Sequence, residues 1–464
     1  MSDRRPHVVI IGGGFGGLAA ARALRKAPVR VTLLDRRNHH LFQPLLYQVA
    51  TAALNPSDIA YPIRAALHAQ PNARVLLAEV RSIDVAARKV ALDDGELGYD
   101  YLIVATGATH SYFGKPWEQL APGLKTVEDA LEIRRRVFFA YEAAERESEG
   151  AAQRDWLTFV VVGAGPTGVE LAGALGEIGL HTLAHDFRHI DSTRVRVLLF
   201  EGTDRVLPTY PAKLSAAAAR SLSHRHVEVR TGTLVTGIDA GGVTIQCSRD
   251  GARVTEQIGA RTVLWAAGVQ ASPLARTLGA PLDRAGRVHV LPDLSIPGHP
   301  EVFVIGDLAH MVSDGADVPG VAQGALQSGD HAARIIAAEV AGDRGARPAF
   351  RYRDKGSMAT IGRSSAVVAT GRVAIHGFFA WLLWWAVHIM FLVGFRNRVF
   401  VMLQWAWSWL TFQRGARLIT GEVPKLPPVH EAPDGSIALP APAKLIAVAP
   451  PESERESPPA APPS

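Results

Sequence analysis

From Val8 the chain reads VVIIGGGFGGLAAARAL: a continuous apolar run, a glycine turn, then an Ala/Leu-rich stretch of helical period. The pattern returns 151 residues later, from Phe159, as FVVVGAGPTGVELAGAL. A short apolar run bounded by glycine, without alternation, predicts a strand buried on both faces of a parallel sheet. Further runs of this kind are VRVTLLD, YDYLIVATGA, VRVLLFE, TVLWAAGV and VFVIGDLAH. Helical stretches lie between them, among them a charged one from Ala121 to Arg154 and the later VAQGALQSGDHAARIIAAEV. Strands alternating with helices predict an α/β fold. YLIVATGA and TVLWAAGV echo each other, each a strand ending at a small-residue turn. Together these signals predict two Rossmann-like domains, the second inserted in the first, which resumes at VFVIGDLAH.

Each repeat carries G-x-G-x-x-G in the setting that gives the motif its chemistry. Gly12 and Gly163 allow the tight turn after the strand. Gly14 and Gly165 let a pyrophosphate approach bare backbone, and Gly17 and Gly168 let helix and strand pack closely. The helix N-terminus then meets the phosphates with free N–H groups and the positive end of its dipole. Two such sites imply two dinucleotides and electron traffic between them. An acid should follow on the next strand to bind a ribose hydroxyl. Asp35 stands 18 residues past Gly17, near the usual spacing, whereas Glu201 stands 33 past Gly168. The extra residues around HTLAHDFRHIDSTR predict a longer helix and return loop. A carboxylate at Glu201 would bind a 2′-OH and repel a 2′-phosphate, favouring NADH; Arg205 nearby leaves NADPH open.

Composition narrows the chemistry. A length of 464 residues suits two to three domains. The single cysteine, Cys247, sits in a strand-like run and reads as a small apolar side chain. One cysteine allows no internal disulfide, no Cys-based metal site and no dithiol pair, and nothing else suggests a metal. MSDRRP leads straight into the first strand, so no signal peptide is expected and the cytoplasmic side follows. The net charge of +5 is localised: Lys355 to Gly421 holds seven Lys/Arg and no acid. Taking those seven away leaves −2, so the basicity is no nucleic-acid footprint.

That basic segment is also the most apolar. Val373 to Phe395 gives 23 residues without a formal charge, and Val399 to Gln413 gives 15 more. Six of the nine tryptophans fall in these runs, a bias toward a membrane interface. The first run is long enough to span, but Gly377 and His388 favour a monotopic anchor instead. Gln404, Ser408 and Thr411 form a polar stripe on the second, predicting an amphipathic helix in the interface of an anionic membrane. Residues 422–464 contain 12 prolines in 43 positions and predict a disordered tail.

The order GGGFGG, ATGA, GAGPTG, AAG and GD resembles the two-dinucleotide-binding-domain flavoproteins. HLFQPLLYQVATAALNPSDIAYPIR, VAQGALQSG and YRDKGSMATIGR resemble one family within them, the type II NADH:quinone oxidoreductases. The resemblance runs from residue 7 to about 420. It implies FAD at Gly12, Gly14, Gly16, Gly17, Asp35, Arg36, Thr106, Gly107, Gly306 and Asp307. It implies NADH at Gly163, Gly165, Gly168, Glu201 and Gly268. Gln323 and Gln327 would face a quinone from one helix face; the family often has a second Gln where Ser328 stands, which leaves the quinone type open. Lys355 would lie near flavin and quinone, and Glu170 near the nicotinamide. Plainer readings are a polar helix face for the glutamines, a turn for Gly306-Asp307, and a structural ion pair between Glu170 and Lys355. Pro44 to Gln48 would line the flavin cavity or simply pack.

The implied organisation is FAD domain at 1–118, inserted NADH domain at 119–286, FAD domain resumed at 287–350, membrane-anchoring region at 351–420 and tail at 421–464. The implied activity is two-electron transfer from NADH through FAD to a lipid quinone, ubiquinone or menaquinone, without proton pumping, in a respiratory chain. The place is the cytoplasmic face of the inner membrane. Rival readings are a soluble reductase of a ferredoxin-type partner and an NADH-sensing flavoprotein scaffold. The oligomeric state stays open, a homodimer included.

Overall fold

The computed structural model describes residues 5–147, 150–184, 186–249, 251–343, 345–371, 373–411, 414–422, 424–427, 430–431 and 437–438. The first strand, β1 (His7–Ile11), is buried at every position, as its unbroken apolar run requires. It leads through the glycine turn into α1 (Phe15–Ala23) and β2 (Arg30–Asp35). The short helix α2 (Leu46–Ala50) is buried throughout. Strands β3 (Ala73–Leu77) and β4 (Tyr101–Val104) complete the first pass.

The helix α3 (Val127–Glu145) begins later than the charged stretch suggested, and a separate short helix, Ala151–Trp156, follows it. Thr126 sets that start: it caps α3, accepting from Asp129 N while the Asp129 carboxylate accepts from Thr126 N. Such a capping box satisfies donors that the first turn leaves free.

The second unit repeats the plan with β5 (Thr158–Val162), α4 (Pro166–Glu177), β6 (Arg196–Phe200), α5 (Ala212–Ser223), β7 (Val227–Arg230) and β8 (Thr262–Trp265). Its parallel sheet runs β7-β6-β5-β8. Between Glu177 and β6 the chain forms a π-turn over Ile178–Thr182 and a 3-10 turn over Ser192–Arg194, so the extra residues become a return loop.

The chain then rejoins the first sheet. β9 (Ser295–Ile296) and β10 (His299–Val304) extend it to the order β9-β10-β4-β1-β2-β3, with β10 parallel to β4. One sheet is therefore interrupted by the other. Each unit also carries a three-stranded antiparallel meander, Val80–Gly98 in the first and Thr233–Gly259 in the second. The long helix α6 (Ala322–Val340) packs across α1. Gly329 and Gly16 meet there so closely that a Cβ on Gly329 would strike the Gly16 backbone.

The C-terminal part holds β11 (Ser357–Thr360), β12 (Ala366–Thr370) and β13 (Val373–Gly377), an antiparallel sheet, then α7 (Phe378–Phe391) and α8 (Phe395–Thr411). The 23-residue apolar run is thus divided: its first five residues pair with β12, and Gly377, at φ +83°, turns the chain into α7. A 14-residue helix rises about 21 Å, short of the ~30 Å of bilayer hydrocarbon. Among the described residues no helix is long and apolar enough to cross a membrane, which corrects the spanning alternative.

Of the polar stripe, Gln404 is half-buried and Thr411 exposed, and the Ser408 side chain lies outside the described residues. Asn397, Val401 and Trp405 of α8 face inward, while Phe400, Leu403, Trp407 and Leu410 form the exposed row. α7 matches it, burying Ala380 and Trp384 and exposing Phe378, Phe379, Leu382, Leu383, Met390 and Phe391. Gln404 is half-buried, with an Oε1 that finds no partner. The inner residues join the core that α2, α3 and the second sheet share. The hairpin is also tied to the body by polar contacts, Asn397 Nδ2 to Ser57 O at 3.2 Å and Arg414 Nη1 to Thr51 O at 2.8 Å. The tail expected to be disordered falls almost wholly outside the described residues.

Candidate active site

Both glycine turns form the same small network. Gly12 has φ +103° and Gly163 φ +97°, and a Cβ at either would strike backbone at the end of β4 or β8. Gly17 and Gly168 press on the carbonyls of Gly12 and Gly163. At Gly14 and Gly165 a Cβ would meet no protein atom within 4 Å. These are the open faces at which α1 and α4 present their first N–H groups. In the first turn Gly13 N donates to Asp35 Oδ2 at 2.6 Å and Arg37 N to Asp35 Oδ1 at 2.7 Å. In the second, Ala164 N donates to Glu201 Oε2 at 2.7 Å and Thr203 N to Glu201 Oε1 at 2.9 Å. Arg205 is turned to the Pro208 carbonyl, not to Glu201.

The first unit carries further residues expected to meet the dinucleotide. Gly107, at φ +66°, also has open space where a side chain would begin. The hydroxyl of Thr106 is buried without a hydrogen-bond partner in the protein, as expected where a ligand completes it. Gly306, at φ +65°, starts the turn that carries Asp307, and Ser328 Oγ accepts from Gly306 N at 3.2 Å. Ser328 therefore faces inward, fully buried, and ties α6 to this turn instead of lining a cavity. Arg36 is exposed beside Asp35. His40 donates from Nδ1 to Gly13 O at 3.0 Å and supports the turn from below, a role that its place in NHHLF did not reveal.

A cavity of about 130 Å³ is walled by both units. α2 and its approach contribute Gln43, Leu46 and Tyr47; the turn after β8 contributes Trp265, Ala266 and Gly268; α4 contributes Thr167 and Glu170. His110 and Lys125 close it, His110 held by Asp129 at 3.2 Å. Neither had a pattern in the sequence to mark it.

Glu170 is the most perturbed acid here. Its outer surface opens on the cavity, but the carboxyl is enclosed, with a single long contact from Thr360 N at 3.4 Å to Oε1. Enclosure without a cation raises the carboxyl pKa to about 8, so at pH 7 it holds its proton. Burial pushes the adjacent Tyr47 and Tyr210 hydroxyls up as well. Lys355 is exposed on its loop and does not pair with Glu170, which corrects the ion-pair alternative.

Gln323 and Gln327 turn toward the chain. Gln323 Nε2 donates to Gly356 O at 2.9 Å and its Oε1 accepts from Lys355 N at 3.1 Å. Gln327 Nε2 donates to Arg353 O at 3.0 Å and its Oε1 accepts from Arg353 N at 2.9 Å. The pair shares one helix face, as expected, and clamps the YRDKG loop across α6. Each amide keeps one N–H and one lone pair free.

Two strand-glycine turn-helix units that wall one cavity suit a pyridine-nucleotide flavoprotein, and the family model for "Pyridine nucleotide-disulphide oxidoreductase" matches residues 6–329. The chain is 48% identical over 429 residues to "Type II NADH:quinone oxidoreductase Ndh" of Mycobacterium tuberculosis, covering 90% of this chain and 91% of that protein. A "Type II NADH:quinone oxidoreductase" of Staphylococcus haemolyticus is 30% identical, covering 79% and 90%. The fold matches NDH2 from Plasmodium falciparum, solved in complex with NADH, with TM-score 0.78 at 19% identity, over 87% of this chain and 98% of that one. The chain belongs to the type II NADH:quinone oxidoreductases.

Proposed function

We propose that this chain oxidises NADH and reduces a lipid quinone at a membrane surface, with FAD in the first unit and NADH at the second. The observation that carries the reading is a cavity walled by both glycine-turn units, in a chain whose C-terminal hairpin has apolar exposed faces. FAD, when bound, supplies the two-electron redox step. Gly12, Gly14, Gly16, Gly17, Asp35, Arg36, Thr106, Gly107, Gly306 and Asp307 would hold it, and the open faces at Gly14 and Gly107 and the unpartnered Thr106 hydroxyl fit such a group.

NADH lies against Gly163, Gly165, Gly168 and Gly268, with Glu201 on the ribose. Glu201 would bind a ribose 2′-OH and repel a 2′-phosphate, and the engagement of Arg205 with the Pro208 carbonyl supports a preference for NADH. The overall reaction, NADH + H⁺ + quinone → NAD⁺ + quinol, takes up one proton. Glu170, protonated at neutral pH, holds a proton at the cavity wall for that demand. Gln323 and Gln327 set the loop bearing Lys355, and this loop would form the polar edge of a quinone site.

We take residues 1–118 with 287–350 as the FAD domain, 119–286 as the NADH domain and 351–420 as the membrane-facing region. The exposed rows on α7 and α8 lie in the lipid surface as a monotopic anchor on the cytoplasmic face, without a path for pumping. The apolar hairpin favours this over a partner of ferredoxin type. Flotation with anionic liposomes tests the anchor. Intact protein should float, and a Leu403→Glu/Leu410→Glu variant should stay in the soluble fraction while retaining its FAD. Equal flotation of the two would remove the hairpin from the membrane contact.

A further inference from the structure

A file of buried hydrogen bonds crosses the molecule from the C-terminal hairpin to Glu170. Trp405, on the inner face of α8, donates its indole N–H to Gln48 Oε1 at 2.6 Å. An indole can only donate, so the orientation of the Gln48 amide is determined. Its Nε2 donates to Tyr47 Oη at 3.0 Å. Tyr47 Oη meets Thr360 Oγ1 at 3.1 Å, and Thr360 N reaches Glu170 Oε1 at 3.4 Å. Trp405, Gln48, Tyr47 and Thr360 are all at most 9% exposed. The file joins α8, α2, β11 and α4, and the far side of α8 is the exposed apolar row.

We propose that Tyr47, held by Gln48 and Trp405, is a positioning residue for the Glu170 carboxyl and couples seating of the lipid-facing hairpin to the proton held in the cavity. The proposal rests on the reading of Glu170 given above. Tyr47 is part of the cavity wall, and its hydroxyl has a fixed partner on either side. Without the Trp405 N–H, the Gln48 amide is free to turn and Tyr47 loses its brace. Water then reaches a carboxyl whose proton affinity depends on exclusion of water. The titratable and charged groups around it are Tyr47, Tyr210, His110 and Lys125, with Arg414 acting on Tyr47.

The test is the pH profile of bound-FAD reduction by NADH, followed by stopped-flow absorbance on liposome-bound holoenzyme. Wild type should show an inflection near the Glu170 value of about 8. Trp405→Phe removes the N–H together with the five-membered ring that carries it, whereas Tyr47→Phe removes one oxygen. Both should retain FAD and move the inflection to lower pH by roughly one unit, and Glu170→Gln should abolish it. If the inflection vanishes in Glu170→Gln yet stays in place in both other variants, the positioning role is overturned. If it persists in Glu170→Gln, the reading of Glu170 itself fails. Should Trp405→Phe lose FAD, Tyr47→Phe decides alone.

Discussion

The two glycine turns share their backbone chemistry and part company just outside it. In each, the residue after the first glycine donates to the acid, and the residue two past the acid donates to its other oxygen. Asp35 and Glu201 thus fill one role with side chains of different length. The surroundings differ. The first turn is supported by His40 from below and crossed by α6 at Gly16 and Gly329. Beside the second, Thr167 and Glu170 of α4 line the open cavity. Both turns stay open at their middle glycine, and the difference lies in what borders them: a packed helix pair at the first, a cavity wall at the second. The repeated motif therefore gives both turns the same backbone geometry, and the neighbouring elements make their surroundings differ.

The comparison breaks most severely at its most permissive positions. A side chain at Gly14 or Gly165 would meet no protein atom, so its effect falls on the ligand. Gly14→Val should yield folded protein lacking FAD and all activity, measured by flavin absorbance per chain. Gly165→Val should keep FAD and weaken NADH at least about a hundredfold, roughly 2.7 kcal/mol, in titration of flavin reduction. Equal FAD loss in both would mean that the turns do not divide the two nucleotides.

A smaller effect is expected on α6. Gln323→Ala with Gln327→Ala removes four backbone contacts, each worth about 1 kcal/mol net. Quinone reduction should fall about tenfold, or ~1.4 kcal/mol in barrier, while FAD reduction by NADH stays within about twofold. Equal loss in both half-reactions would argue against a quinone-side role for the loop. Glu201→Gln should narrow the NADH/NADPH preference in kcat/KM by several-fold, on the order of 1 kcal/mol; an unchanged ratio would take Glu201 away from the ribose.

The smallest effect is on stability. Glu170 has its folded pKa raised from 4.5 to about 8. Its protonated form is favoured in the fold, so stability from this group is complete below pH 4.5 and is lost as pH rises through about 8. Glu170→Gln should therefore match wild type in thermal midpoint near pH 4.5 and gain a few degrees by pH 8. A gain independent of pH would mean that the carboxyl is not enclosed as described.

What the sequence disclosed follows the range of the interactions. The glycines, their strands and Asp35 are legible because a tight turn, a helix start and an acid on the next strand are local requirements. Glu201 is legible in kind, but its spacing is stretched by a loop with no pattern of its own. Tyr47, Gln48 and Trp405 were legible only as apolar or amide residues. Trp405 and Gln48 are bonded across 357 positions, and no periodicity encodes that. The hairpin illustrates the middle case. Composition predicted a membrane-facing segment; in the structure β-pairing of Val373–Gly377 shortens the helix, and the exposed side is apolar. The helical spacing of Gln323 and Gln327 was right, yet it could not say that both amides would be taken by the loop that follows β10 and α6.

Single-turnover, anaerobic stopped-flow absorbance tests the central claim most directly. Liposome-bound holoenzyme is mixed with one equivalent of NADH, then with a ubiquinone or menaquinone analogue. The account predicts bleaching of the flavin band in the first mix and its return in the second, with one quinol formed per NADH consumed. Full bleaching by NADH followed by no reoxidation with either quinone would contradict it.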